Sequence, residues 1–163
     1  MFFGIPVASF VFVHTLITLV AIVAGLVMLY GMLGNRRMDA AHTVFLLFSV
    51  LTAVTGFMLQ VRPVTPAVIV GGVLSLLLVF ALAARYLQRM MGAWRWIYVV
   101  TAVASLYLNC FVLVVQSFLK VPALHALVPS VPPAGPLFGA VQGAVLLFFV
   151  VTGYLAVRRF HPR

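Results

Sequence analysis

The stretch Trp94–Lys120, WRWIYVVTAVASLYLNCFVLVVQSFLK, decides the fold of this chain. It is longer than the about 20 apolar residues that cross a hydrocarbon core at roughly 1.5 Å per residue. Its polar residues are not scattered. Tyr98, Thr101, Ser105, Asn109 and Gln116 recur at helical spacing. They share one face, because residues three, four and seven apart lie one above another. Lipid offers an amide no hydrogen bond. That face must therefore look inward, at other helices or at a cavity.

The rest of the composition agrees. The chain has 163 residues, 66% hydrophobic and 7% charged, with a mean hydropathy of +1.28. A soluble domain of this size could not cover so much apolar surface, so residues 1–163 read as a single polytopic transmembrane domain. The formal charge of +9 does not point to nucleic acid, because the basic residues are placed as a membrane protein places them. Cys110 is the one cysteine, so an internal disulfide is ruled out. The first apolar run lacks a basic leader and a cleavage site, and it is expected to stay on the chain.

An all-α bundle of five spans follows. They run over about residues 6–33, 40–60, 66–88, 93–120 and 136–159, with an outer loop at 121–135. Asp39 is expected to cap the second helix. Thr65-Pro66 and Gly135-Pro136 mark the starts of the third and fifth. Prolines 122, 129, 132 and 133 keep the loop from spanning, with one short turn expected around Leu124–Leu127.

Charge sets the expected orientation. One side of the bundle holds Arg62 and the interfacial Lys120. The other holds Arg36, Arg37, Arg85, Arg89, Arg95, Arg158, Arg159 and Arg163. The positive-inside rule then puts the N-terminus outside and the C-terminus in the cytoplasm. Trp94, Trp96, Tyr30, Tyr86, Tyr98 and Tyr154 fall near the inner boundary, where amphipathic rings settle. Arg36, Arg37, Arg85, Arg89, Arg95, Arg158 and Arg159 form a face able to attract anionic headgroups, although orientation during insertion explains them as well.

Each remaining span has a small or polar stripe. The first carries His14, Thr18, Ala21, Gly25, Met28 and Met32; the second carries His42, Ser49, Ala53, Gly56 and Gln60. The third carries Gly71 and Ser75. In the fifth, Gly135, Gly139 and Gly143 form a small-xxx-small series, read first as helix packing within the bundle and second as a self-association face. By depth, His14 and Gln142 lie outward of the midplane, Asn109 near it, and Gln60 and Gln116 near the outer boundary. His14, Thr18, Asn109, Gln116 and Gln142 could thus line one ligand pocket, with Thr55 nearby. Alternatively they tie the helices together.

A haem b reading rests on His14 alone. His42 lies at the opposite end of its helix, and the two depths differ by roughly 20 Å. His42, three residues after Asp39, reads as support for the helix start. Asp39 is the only acidic side chain, so paired carboxylates and an intramembrane carboxylate for cation coupling are lacking. No catalytic constellation or metal-ligand spacing is visible.

The segments HTLITLVAIVAGLVMLYGMLGNRRMDAAHTVFLLFSVLTAVTGF and GAWRWIYVVTAVASLYLNCFVLVVQSFLKVPALHAL resemble a family of small, uncharacterised bacterial multispanning inner-membrane proteins. The resemblance implies a bacterial inner membrane and no particular activity, and it carries over no site residues.

The leading expectation is a non-enzymatic binding or accessory protein. It would hold a small apolar ligand (a lipid, quinone or similar) or a partner helix at the outer-half polar cluster, with a homo-oligomer or a larger membrane complex left open. Two readings stay open beside it: an electron-transfer subunit with haem b or quinone at His14, and a pore or transporter for a neutral solute.

Overall fold

The computed structural model describes residues 6–59 and 65–161. Gln60, Arg62 and Arg163 lie outside the described residues. The elements are α1 (Val7–Leu33), α2 (Asp39–Met58), α3 (Pro66–Leu82), α4 (Ala93–Lys120), the short α5 (Pro122–Leu127) and α6 (Pro136–Arg159). A π-helical turn, Ala83–Leu87, extends α3. Among the described residues there is no strand. Five helices are long and apolar enough to cross a membrane: α1, α2, α3 with its π turn, α4 and α6.

The ends follow local chemistry. Thr65 caps α3, its hydroxyl accepting from the amide of Val68 at 3.3 Å, and Pro66 fills the first turn. Asp39 is not a cap. Met38 occupies that position without a side-chain bond, and Asp39 is the first helical residue. Its carboxylate is held instead by Arg37 at 3.0 Å and Arg85 at 2.7 Å. An ion pair that reaches across to α3 outcompetes a local cap. Between α3 and α4 the chain turns through positive φ at Arg89, Met90 and Gly92. At Gly92, φ 54° with ψ −125° is a combination that glycine alone adopts readily.

The spans form a closed ring: α1 packs on α2, α2 on α3, α3 on α4, α4 on α6, and α6 on α1. In addition α4 reaches across to α1 and α2. It is the most enclosed span, with 44% of its apolar window buried against 17–28% for the others. Tyr98, Thr101, Ser105 and Asn109 are all buried, so the polar face of α4 does turn inward. On α1, Ala21, Gly25, Met28 and Met32 do the same.

Packing is uneven along the bundle. Met28, Met32, Phe45, Leu46, Tyr98, Val99, Ala102, Ala156 and Phe160 are nearly or wholly without exposure. They come from the C-terminal half of α1, the C-terminal end of α6 with Phe160 just beyond it, and the N-terminal halves of α2 and α4, so the dense core fills the end that carries the arginines. At Gly25 the helices meet closely. A Cβ there would stand 2.5 Å from Leu106 Cδ1 and 2.8 Å from Phe45 Cδ2.

The glycine series of α6 behaves otherwise. At Gly135, Gly139 and Gly143 an added Cβ meets no described atom within 4 Å. Among the described residues nothing packs closely on these glycines, contrary to the first reading of the motif. The contact of α6 with α4 is made by larger groups, Phe149 and Gln142 among them.

Candidate ligand-binding cavity

Away from the dense core the bundle is hollow. A cavity of about 560 Å³ opens between α1, α2, α3 and α4. His14, Thr15 and Thr18 come from α1, Thr52 and Gly56 from α2, and Gly71 and Leu74 from α3. Asn109, Gln116, Ser117 and Lys120 come from α4. The lining descends α1 from Val7 to Leu19 and α4 from Lys120 to Leu108, a depth of roughly 18 Å on each helix. Apart from the polar residues named, the walls are mainly aliphatic.

The polar wall has a defined hydrogen-bond logic. Most hydroxyls are spent on their own helix. Thr18 donates to the carbonyl of His14 at 2.9 Å, Thr52 to Phe48 at 2.8 Å and Ser117 to Leu113 at 2.7 Å. Thr55 donates to Leu51, also at 2.7 Å. His14 Nδ1 lies 2.7 Å from Thr55 Oγ1. Nε2 of the ring has no hydrogen-bond partner among the described residues. Asn109 Nδ2 donates to Ser49 Oγ at 3.1 Å. These two bonds tie α1 to α2 and α4 to α2. Gln116 and Lys120 form no hydrogen bond or ion pair with any described residue.

Four of the five expected ligand residues, His14, Thr18, Asn109 and Gln116, thus line the cavity. Gln142 does not. Its Nε2 donates to the carbonyl of Phe111 at 3.1 Å, and its buried Oε1 has no partner among the described residues. It braces α6 against α4, and α6 contributes nothing to the lining. Depth alone could not distinguish these cases, because Gln142 has the right height on the wrong helix. The sequence reading missed Thr15, Thr52, Ser117 and Lys120 as lining residues. Lys120 was within reach of it, since it follows Gln116 by four residues and so shares its face.

His42 sits in a different environment. Wholly buried, it places Nδ1 2.6 Å from the Tyr98 hydroxyl, and its ring stacks on Phe160 at 5.7 Å. Its Nε2 has no hydrogen-bond partner among the described residues. Arg85 lies 5.8 Å from the centre of the Tyr98 ring while holding Asp39. His42 therefore ties α2 to α4, a larger role than supporting a helix start. Because Thr55 is 13 residues beyond His42 on α2, His14 stands roughly 20 Å from His42 along the axis. The two histidines cannot share one haem. His125 approaches the carbonyl of Phe118 at 3.3 Å. Among the described residues no group of three or more His, Cys, Asp or Glu side chains could hold a metal ion.

Two corrections concern the arginine end. Arg85 has a side chain only 8% exposed, and Arg95 donates to the carbonyls of Val157 and Phe160 at 2.8 and 2.7 Å. Arg85 is thus turned inward and Arg95 is half-buried with one nitrogen spent on the end of α6, whereas Arg36, Arg37, Arg89, Arg158 and Arg159 are exposed. Tyr98 is fully buried and leaves the aromatic belt, because its hydroxyl finds His42 inside. Tyr30, Tyr86, Trp96 and Tyr154 are exposed.

No family model, curated protein or solved structure matches this chain.

Proposed function

We propose that this is a non-enzymatic binding protein of a bacterial inner membrane that holds a small, mostly apolar molecule in the cavity between α1, α2, α3 and α4. The observation that carries the reading is the cavity itself: about 560 Å³, within the range of small-molecule sites, with aliphatic walls and a few polar groups. His14 Nε2, the Asn109 side chain and the Gln116 amide supply orienting hydrogen bonds, and Thr18 shapes the floor. A partner helix is the poorer occupant. A helix about 10 Å across and as long as the cavity is deep would need roughly 1,400 Å³.

The arginine-rich end is assigned to the cytoplasm by the positive-inside rule. The cavity then belongs to the outer half of the bilayer, with the N-terminus outside. Native mass spectrometry of gently extracted protein tests the binding reading. One retained adduct per chain is expected, lost on Thr18→Trp and kept on Leu147→Trp at the exposed face of α6. Adducts retained equally by both variants would place binding outside the cavity and refute it.

A further inference from the structure

The binding reading leaves open what the ligand carries at its polar end. Among the described residues, Lys120 is the only charged one lining the cavity. It stands at the end of α4, level with the start of α1 and the end of α2, at the rim of the lining, the mouth of the cavity. It is a cation without a carboxylate to meet. The chain has one acidic side chain, Asp39, and that is held by Arg37 and Arg85 at the far end of the bundle. Gln116 and Ser117 lie beside Lys120 on the lining, and the Gln116 amide, like Lys120, has no bond to a described residue. The mouth therefore offers a positive charge and an amide donor, the pair that an anionic oxygen accepts.

Beneath the mouth the slot has the dimension of one leaflet. Its depth is roughly 18 Å, against about 15 Å for half of a 30 Å hydrocarbon core. A chain lodged there would replace lipid contacts with Val11, Leu19, Val70, Leu74, Leu108 and Val112. A head group at the mouth would stay at the level of its bilayer neighbours. A free small anion would use the mouth and leave the slot unexplained.

Building on the binding reading above, we infer that the cavity takes a single-chain amphiphile with an anionic head group, drawn from the surrounding leaflet, with Lys120 and Gln116 holding the head. The test uses the full-length chain in neutral phosphatidylcholine nanodiscs at pH 8. A spin-labelled long-chain fatty acid is titrated, and its immobilised fraction is competed with unlabelled fatty acid, the fatty alcohol of equal length, and acetate or inorganic phosphate.

The acid is expected to compete about tenfold better than the alcohol, the scale of one charge-assisted hydrogen bond. Lys120→Gln should abolish that difference, Lys120→Arg should keep it, and the short anions should not compete. Acid and alcohol competing equally, with Lys120→Gln indifferent, would overturn the anionic head group and leave the cavity reading standing. Competition by acetate or phosphate at the same concentrations would overturn the lipid source. Absence of any saturable immobilised fraction would overturn the binding reading with it.

Discussion

At the scale of single residues, the contrast between His14 and His42 is instructive. Both are lone histidines on apolar helices. One faces a cavity and leaves Nε2 without a partner among the described residues. The other is sealed between Tyr98 and Phe160. Sequence spacing placed both on inward faces but could not say which half of the bundle is filled. That depends on side-chain volumes contributed by four helices at once. Tyr98 shows the same limit. Its position in the chain fits a boundary aromatic, and only the partner on α2 draws it inside. The pair can be tested. Tyr98→Phe strands the His42 ring nitrogen without its partner and should cost about 1–3 kcal/mol. Replacing both, as Tyr98→Phe with His42→Leu, should cost less than the sum of the single changes. The half-buried thiol of Cys110, the only one in the chain, provides the readout, as its faster reaction with a thiol-reactive dye on heating reports unfolding.

At the scale of elements, the starts and ends of α4 and α6 were legible to the residue. Proline, glycine and the edge of hydrophobicity coincide there. The second helix was harder to delimit, since Asp39 offers a capping side chain that the fold uses for an ion pair. Two glycines separate packing from mere smallness. Gly25 lets α1 approach Leu106 and Phe45, so Gly25→Val should destabilise by about 1–3 kcal/mol through overpacking. Gly143 faces open space, and Gly143→Ala should change stability by no more than about 0.5 kcal/mol. Thermal unfolding of the two variants side by side checks this.

The end of α6 is fixed by Arg95, whose guanidinium satisfies carbonyls that the helix leaves unpaired. It is fixed also by Phe160, fully buried against His42. Arg95→Gln and Phe160→Ala should both loosen this end, seen as faster proteolysis at the C-terminus while the spans stay protected.

At the scale of the whole molecule, the bundle is filled at its arginine end and hollow at the other. Hydropathy and charge predict five spans and one basic end from the sequence alone. They are silent on the hollow, because aliphatic residues that line a cavity and those that face lipid read alike along the chain. On α1, Val11 and Leu19 touch the cavity while Phe12 and Val20 are outward and exposed. The assigned orientation has its own test. A reporter enzyme fused after residue 163 and active only in the cytoplasm should be active, and one active only outside should be silent. The reverse pattern would invert the bundle and put the cavity in the inner leaflet.

Photo-crosslinking asks most directly whether the hollow is a binding site. A long-chain lipid analogue bearing a diazirine at mid-chain is incorporated into membranes containing the protein, irradiated, and its adducts mapped by peptide mass spectrometry. The predicted result is adducts at cavity-lining positions around Thr18, Gly56 and Val112, suppressed by excess unlabelled lipid of the same kind. Adducts confined to outward positions such as Leu76 and Leu147, and unaffected by competitor, would contradict it.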